Sequence, residues 1–240
     1  HLRAWPSTDW LRHGRGLRSF CLILAGYVPA PALAQFAGNV ALSSSDVFRG
    51  ESISGDDPAL SVAASFDHES GLFAGGGLTV AGGKRDLRLT SANQYVGYAI
   101  RVKETSFEVG MVHRDYGRMT DLAYRRHYVE GFIGVSRPAF RVRAYVSPDY
   151  LKDGRTTYYA EANFRIARIK KWSLNGHGGL SLIPHDVGSP KHGLRTFEDW
   201  SLKLNRQFGS YGASFGIART NYPVFSNGKK AKLVFTVSRA

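Results

Sequence analysis

Cysteine, long apolar runs and acidic side chains are all scarce in this sequence. One cysteine in 240 residues, Cys21, excludes an internal disulfide framework and a zinc site built mainly on thiolates. No stretch reaches the roughly 18 uninterrupted apolar residues of a membrane-spanning helix. Charged residues make up only 21% of the chain and apolar residues 43%, a composition that excludes intrinsic disorder.

Basic residues outnumber acidic ones, 32 against 19, which leaves a formal net charge of +13. Nucleic-acid binding would need these residues gathered into one patch, but they are spread along the whole chain. The densest basic pairs lie near predicted strand ends, where they can meet lipid phosphates or lipopolysaccharide. These pairs are Lys84-Arg85, Arg125-Arg126, Lys170-Lys171 and Lys229-Lys230. We therefore expect membrane lipid and lipopolysaccharide as partners, and no nucleic acid.

The first 34 residues indicate an export signal. Basic residues up to Arg18 precede an apolar run over 20–28, and small residues ending in Ala32-Leu33-Ala34 follow. This order is typical of a secretory signal peptide. The alternative, a short buried helix, is disfavoured by Pro29 and Pro31. The sequence predicts a cleaved signal over 1–34 and one domain over 35–240.

From about Gly38 onward, apolar and polar side chains alternate with a period of two, as when Arg141 and Arg143 flank Val142. Successive side chains of a strand point to opposite faces, so this alternation predicts strands between two different environments. No segment of comparable length has a convincing helical period. Twelve strands are predicted, over 38–49, 58–68, 72–81, 92–102, 105–115, 123–135, 138–147, 155–166, 171–182, 196–205, 210–219 and 231–239.

The predicted connections alternate between short turns and longer polar loops. Short turns on one rim and long loops on the other are typical of a transmembrane β-barrel, and strands of about ten residues can cross a bilayer when tilted. The strands of a water-soluble sandwich or lipocalin-like barrel also alternate between apolar and polar side chains, but such a protein buries its apolar face inside. The export signal, the many long strands and the charged residues along strand centres favour the membrane barrel, all-β and antiparallel.

If the apolar phase faces lipid, the polar phase lines the lumen. Rings of charged side chains in a lumen select ions and solutes at close range. Alternatively, arginine–carboxylate ion pairs across the interior would close the lumen and leave no path through it. The predicted pore-lining residues are Arg101, Glu108, Arg114, Arg126, Glu130, Arg141, Arg143, Glu161, Arg165 and Lys203, with Asp67 on the same phase.

Catalytic and metal motifs are weak. The run from Gly75 to Arg85 lacks the spacing of a phosphate-binding loop, and His177, His185 and His192 match no compact metal motif. Some outer-membrane barrels are phospholipases, but His113 and Ser106 fall on opposite phases of one strand. The sequence predicts no enzyme activity, no metal and no cofactor.

The stretch from Asn39 to Ser54, NVALSSSDVFRGESIS, resembles the opening of the TorF family of porins, also called the Gcw_chp family, from the proteobacterial outer membrane. Two further elements of that family are present as Asp57-Pro58-Ala59-Leu60 and Ser70-Gly71-Leu72-Phe73-Ala74-Gly75. The resemblance covers essentially the whole chain after the signal. It implies an outer-membrane β-barrel whose transported solute is generally unknown.

Together these features predict a porin-like barrel of the bacterial outer membrane, a passive channel for small polar or anionic solutes. Its expected partners are the barrel assembly machinery, outer-membrane lipid and lipopolysaccharide, and the solutes themselves. Two alternatives stay open: a non-conducting structural barrel, and an outer-membrane lipid-modifying enzyme.

Overall fold

A computed structural model describes residues 34–83, 87–116, 126–150, 154–184, 193–221 and 231–239. These residues form a closed barrel of 12 antiparallel strands and one separate two-stranded hairpin. Among them, no helix has the length and apolar character needed to cross a membrane. The predicted all-β class, barrel architecture and strand number are confirmed.

The barrel strands follow one another around the wall in chain order. The first strand pairs with both the last and the next barrel strand, Val40 opposite Arg239 and Val40 opposite Val62, which closes the barrel. The strands are β1 (Ala34–Ser43), β4 (Ala59–His68), β5 (Leu72–Gly82), β6 (Leu87–Val102), β7 (Thr105–Tyr116), β8 (Arg126–Arg137), β9 (Phe140–Ser147), β10 (Thr157–Ile169), β11 (Trp172–Pro184), β12 (Leu194–Phe208), β13 (Tyr211–Thr220) and β14 (Lys232–Arg239); β2 (Val47–Phe48) and β3 (Glu51–Ser52) form the hairpin.

The two rims differ as the sequence predicts. Tight turns such as Lys103–Glu104 and Lys170–Lys171 join strands at one rim, and Lys103 and Lys170 adopt left-handed backbone angles (φ 55° and 53°) there. The longer connections leave from the opposite rim. Trp172, Phe208 and Tyr211 stand exposed at the tight-turn ends of their strands, the position of an aromatic girdle in membrane barrels.

The apolar phase faces outward. On β7 and β8, Met111 is 55% and Ile133 63% exposed, whereas Ser106 and Glu130 on the opposite phase are buried. A water-soluble barrel would have the reverse arrangement, because exposed apolar area costs free energy in water. The outer surface is therefore that of a membrane-embedded barrel, which agrees with the predicted location in the bacterial outer membrane.

The first predicted strand, over 38–49, is wrong in its second half. Strand β1 ends at Ser43, and the chain then turns into the barrel, where Val47 and Phe48 pair with Ser52 and Glu51. The alternating pattern continues through this segment, because a hairpin strand has the same period as a barrel strand. The predicted signal over 1–34 lies almost entirely outside the described residues, and its cleavage stays a prediction.

Candidate solute pathway

The hairpin of residues 47–52, here called the lumen hairpin, folds into the barrel from the long-loop rim. A serine network fixes its base. The Ser45 and Ser52 hydroxyls lie 2.8 Å apart, and the Asp46 amide donates to the Ser54 hydroxyl at 3.0 Å. Arg88 on β6 also donates to the Ser54 carbonyl at 2.6 Å, which fastens the base to the barrel wall.

The turn of the lumen hairpin is Arg49–Gly50, and both residues have positive φ, 46° and 74°. Two such residues make a type I′ turn, which matches the twist of a two-residue hairpin. Gly50 also lies against β13, where a Cβ atom would overlap the Arg219 carbonyl. Glycine is therefore required here by backbone angle and by space.

Arg49 crosses the lumen from the hairpin turn to the opposite wall. Its Nη2 donates to Glu130 Oε1 on β8 at 2.7 Å, and its guanidinium carbon lies 3.7 Å from the centre of the Tyr159 ring. The Tyr150 and Tyr145 rings lie at 5.6 and 5.8 Å from the same carbon. A carboxylate and aromatic faces are the two partners that a partly dehydrated guanidinium prefers.

Glu130 is shared by two arginines. It is 1% exposed, and its Oε2 accepts from Arg114 Nε at 3.4 Å in addition to the bond from Arg49. The centre of the Phe48 ring lies 4.9 Å from the Arg49 guanidinium carbon and 4.7 Å from that of Arg114. This cluster carries two positive charges and one negative charge.

Glu108 forms a second cluster of the same kind. Arg143 donates to both of its carboxylate oxygens, at 2.7 and 3.0 Å, while Arg141 Nε lies 4.0 Å away. Arg143 also stacks over Phe132 at 4.8 Å. Two adjacent clusters thus each combine two arginines with one glutamate.

A histidine network occupies the neighbouring wall. His177 Nε2 lies 2.8 Å from Asp199 Oδ1, and His177 Nδ1 lies 2.9 Å from Asn163 Oδ1. The Tyr159 hydroxyl lies 3.3 Å from the same imidazole nitrogen that faces Asp199. This network holds His177 in the polar wall, and the described residues contain no group of three or more side chains able to hold a metal. His185 and His192 lie outside the described residues.

Below the lumen hairpin is a cavity of about 550 Å³ lined by both polar and apolar side chains, here called the lumen chamber. Arg114, Arg141 and Arg143 line one side. Small residues of β1 and β4, including Ala37 and Ala63, line the other, and these short side chains leave the space open. A volume of this size accommodates a sugar-sized molecule.

Further towards the tight-turn rim, three inward residues align across adjacent strands. Arg165 on β10 pairs in register with Asn175 on β11, and Asn175 pairs with Lys203 on β12. These three residues are here called the basic row. Their neighbours Phe164 and Leu202 are exposed on the outer face, which places the basic row on the lumen side.

The structure brings most of the predicted lumen residues together in the polar phase. Glu108, Glu130, Arg114, Arg141 and Arg143 form the two clusters, and Glu161 accepts from the Tyr145 hydroxyl at 3.1 Å. Arg165 and Lys203 belong to the basic row. Arg101 bends back to donate to the Lys103 carbonyl, so it lies at the tight-turn rim. Arg126 lies in β8, but its side chain is outside the described part; whether any of these residues lines a conducting path stays a prediction.

Sequence reasoning missed the central role of Arg49. It lies at the end of the predicted strand 38–49 and within the Asn39–Ser54 stretch that carries the family resemblance. The Arg49-Gly50 pair between short polar and apolar segments was a usable turn signal, because glycine supports positive φ. The contacts of Arg49 with Glu130 on β8 and Tyr159 on β10 join residues far apart in the chain, so nothing in the neighbouring sequence predicts them.

Ser106 and His113, the candidate residues for lipolytic chemistry, lie on opposite faces of β7. His113 lies near Gln94 on the adjacent strand, with its Nδ1 2.9 Å from the Gln94 amide oxygen, whereas Ser106 is buried on the other face of β7. A serine nucleophile needs a base within hydrogen-bond reach, so these two residues do not form a catalytic pair.

Asp46 has a shifted pKa. It lies between β1 and the lumen hairpin, outside the membrane-spanning strands. Burial raises the pKa of Asp46 from 3.8 to about 6, and hydrogen bonds from Ser91 and Thr79 oppose the rise. The group thus titrates close to neutral pH at the base of the hairpin.

Comparison with known proteins gives a family and a fold. The model of one family, described as a bacterial protein of unknown function (Gcw_chp), matches residues 29–234. No curated protein matches. Among solved structures, the NanC porin is 9% identical over 84% of this chain and 98% of its own, with a TM-score of 0.56. The KdgM porin is 8% identical over 85% and 99%, with a TM-score of 0.51. At such identities the likeness shows the fold alone.

Proposed function

Because the chain belongs to the Gcw_chp family of bacterial proteins and folds as a porin-like barrel, we propose that it is a passive outer-membrane channel for small polar or anionic solutes. The observation that carries the proposal is the lumen chamber, a cavity of about 550 Å³ bordered by three arginines. A purely structural barrel has no need of such a space. The motifs around Asn39–Ser54 further support a place within the TorF porins.

The charges of the lumen support a preference for anions. Arg114, Arg141 and Arg143 line the chamber together with Glu161, and their ion pairs with Glu130 and Glu108 partly neutralise them. Lower down, Arg165 and Lys203 add two positive charges. Fixed charges in a narrow, low-dielectric wall shift ion occupancy strongly, whereas salt screens them over about 10 Å at 0.1 M.

One observation favours a second candidate, a barrel that does not conduct. Arg49 bridges the lumen and is held by Glu130 and Tyr159, which narrows the passage above the chamber. If this contact never opens, solutes cannot pass. The remaining alternative, a lipid-modifying enzyme, has less support, since His113 and Ser106 lie on opposite faces of their strand.

Reconstitution in a planar bilayer separates the candidates. The channel is expected to give discrete conductance steps, with a reversal potential in a KCl gradient displaced towards that of chloride. A silent bilayer without lipid hydrolysis would favour the structural barrel. A silent bilayer with release of fatty acid or lysolipid would favour the enzyme.

We further propose that the protein is inserted by the barrel assembly machinery and contacts lipopolysaccharide through basic residues of its long loops. Binding to lipopolysaccharide vesicles and the dependence of insertion on assembly factors test these partners.

A further inference from the structure

Within the part of the chain that the structure describes, the cations of the basic row differ from Arg49, Arg114 and Arg143 in having no anionic partner. Arg49, Arg114 and Arg143 each make an ion pair with a glutamate. Across the described ranges, no carboxylate lies within ion-pair distance of Arg165 or Lys203. Two positive charges therefore face the lumen with only Asn175 between them.

The spacing of the basic row suits one small anion. Adjacent strands lie about 4.8 Å apart, so the backbones of Arg165 and Lys203 are roughly 10 Å apart, with Asn175 in the middle. Long flexible side chains can converge from that separation on one carboxylate. A guanidinium offers paired donors in a fork and an ammonium offers a point charge, and the two together bind a planar carboxylate well.

The next row upward supplies further polar side chains. Asn163 pairs in register with Arg141 on one side and with His177 on the other, and all three line the lumen chamber. Both ring nitrogens of His177 already meet Asp199 and Asn163 Oδ1, which leaves the Asn163 NH2 group to donate to a hydroxyl group of a ligand. The chamber thus offers a hydrogen-bond donor for a hydroxyl group directly above two cations that meet no carboxylate among the described residues.

We propose that the basic row and the Asn163 row form a binding site for a hydroxylated organic carboxylate of sugar-acid size. The carboxylate lies between Arg165 and Lys203, and the hydroxyl groups extend upward into the lumen chamber towards the Asn163 amide. The inference deepens the proposed function and rests on it, since it names the class of solute that the channel selects.

Binding is tested by equilibrium dialysis of radiolabelled gluconate against the barrel purified in detergent. Acetate, sorbitol and inorganic phosphate serve as competitors, because they present respectively the carboxylate alone, the hydroxyls alone and a different anion. Gluconate is expected to bind most tightly. Competition by acetate or phosphate as strong as that by unlabelled gluconate would overturn the assignment to hydroxylated carboxylates.

Lys203→Gln and Lys171→Gln form a matched pair of variants. Both remove one positive charge, but Lys203 faces the lumen while Lys171 lies in a turn at the rim. Loss of one charge-assisted hydrogen bond is expected to weaken gluconate binding roughly tenfold for K203Q. K171Q is expected to bind as the parent protein does. Equal binding by both variants, each shown to be folded by heat-modifiable gel migration, would overturn the site.

Dialysis measures binding without any voltage or open path through the barrel. The binding-site proposal and the channel proposal can therefore be refuted independently of each other. A protein that binds gluconate but never conducts would refute the channel and retain the site. A protein that conducts but does not bind gluconate would refute the site and retain the channel.

Discussion

At the scale of single residues, Arg49 is the most constrained charge of the described lumen. It combines a 2.7 Å bond to Glu130 with a ring contact at 3.7 Å to Tyr159. A buried carboxylate left with fewer partners costs more than the lost bond itself, because its desolvation is no longer compensated. Arg49 therefore couples the stability of the upper lumen to the width of the passage.

Replacing Arg49 by glutamine is expected to raise single-channel conductance, since the bridge across the lumen is shortened. It should also destabilise the fold by about 1–3 kcal/mol, because Glu130 then keeps only the longer contact to Arg114. Planar-bilayer recording and urea titration measure the two effects. Arg137→Gln removes the same charge at the rim and serves as control. Equal conductance in both variants would show that Arg49 does not limit the passage.

Asp46 predicts a pH dependence with a definite sign. Its folded pKa of about 6 lies above the reference value of 3.8, so the folded state binds the proton more tightly. Its contribution to stability is present below about pH 4 and is lost as the pH rises through about 6. Thermal unfolding followed from pH 4 to 8 should show this fall, and Asp46→Asn should remove it. An unchanged pH profile in the variant would contradict the assignment.

At the scale of elements, the lumen hairpin depends on one turn. Gly50→Ala places a methyl group against the Arg219 carbonyl and adds a left-handed backbone cost of about 1–2 kcal/mol. We expect the hairpin to leave its position and conductance to rise. Gly154→Ala is a matched control, since Gly154 has φ 66° and nothing within 4 Å of a new Cβ. The prediction fails if the two alanine variants conduct alike.

Strand β9 tests which phase meets lipid. Val142 is 40% exposed on the outer face between Arg141 and Arg143, so Val142→Arg should cost roughly 2–4 kcal/mol near the bilayer centre. Val142→Leu should have little effect. Reversible unfolding from lipid vesicles in urea measures both. A negligible cost for the arginine variant would place this face away from hydrocarbon.

At the scale of the whole molecule, an even number of strands puts both ends of the barrel chain on the tight-turn rim, since β1 enters and β14 returns there. In outer-membrane barrels this rim faces the periplasm. An epitope inserted after Gly188, which lies outside the described residues, should be labelled on intact cells. One inserted after Glu69 should be labelled only after the outer membrane is permeabilised. The reverse pattern would invert the orientation.

The alternation in the sequence is sufficient to predict the number of barrel strands, their outward apolar face and, apart from the second half of the first strand, their positions. A period of two such as that around Val142 has one physical meaning, two environments on two faces of a strand, and the alternating loop lengths order those strands into a barrel. The inward phase of Glu108, Arg143 and Lys203 follows from the same period. For this reason the predicted lumen residues lie on the polar face in the structure.

Only the tertiary structure decided which of these residues meet. The register between β10, β11 and β12 aligns Arg165 with Lys203, and a shift by two residues would preserve every facing direction while separating them. The lumen hairpin also has the period of a barrel strand, so alternation could not distinguish it from one. Its inward course depends on the fit of Gly50 against β13 and of Arg49 against Glu130, contacts between residues far apart in the chain.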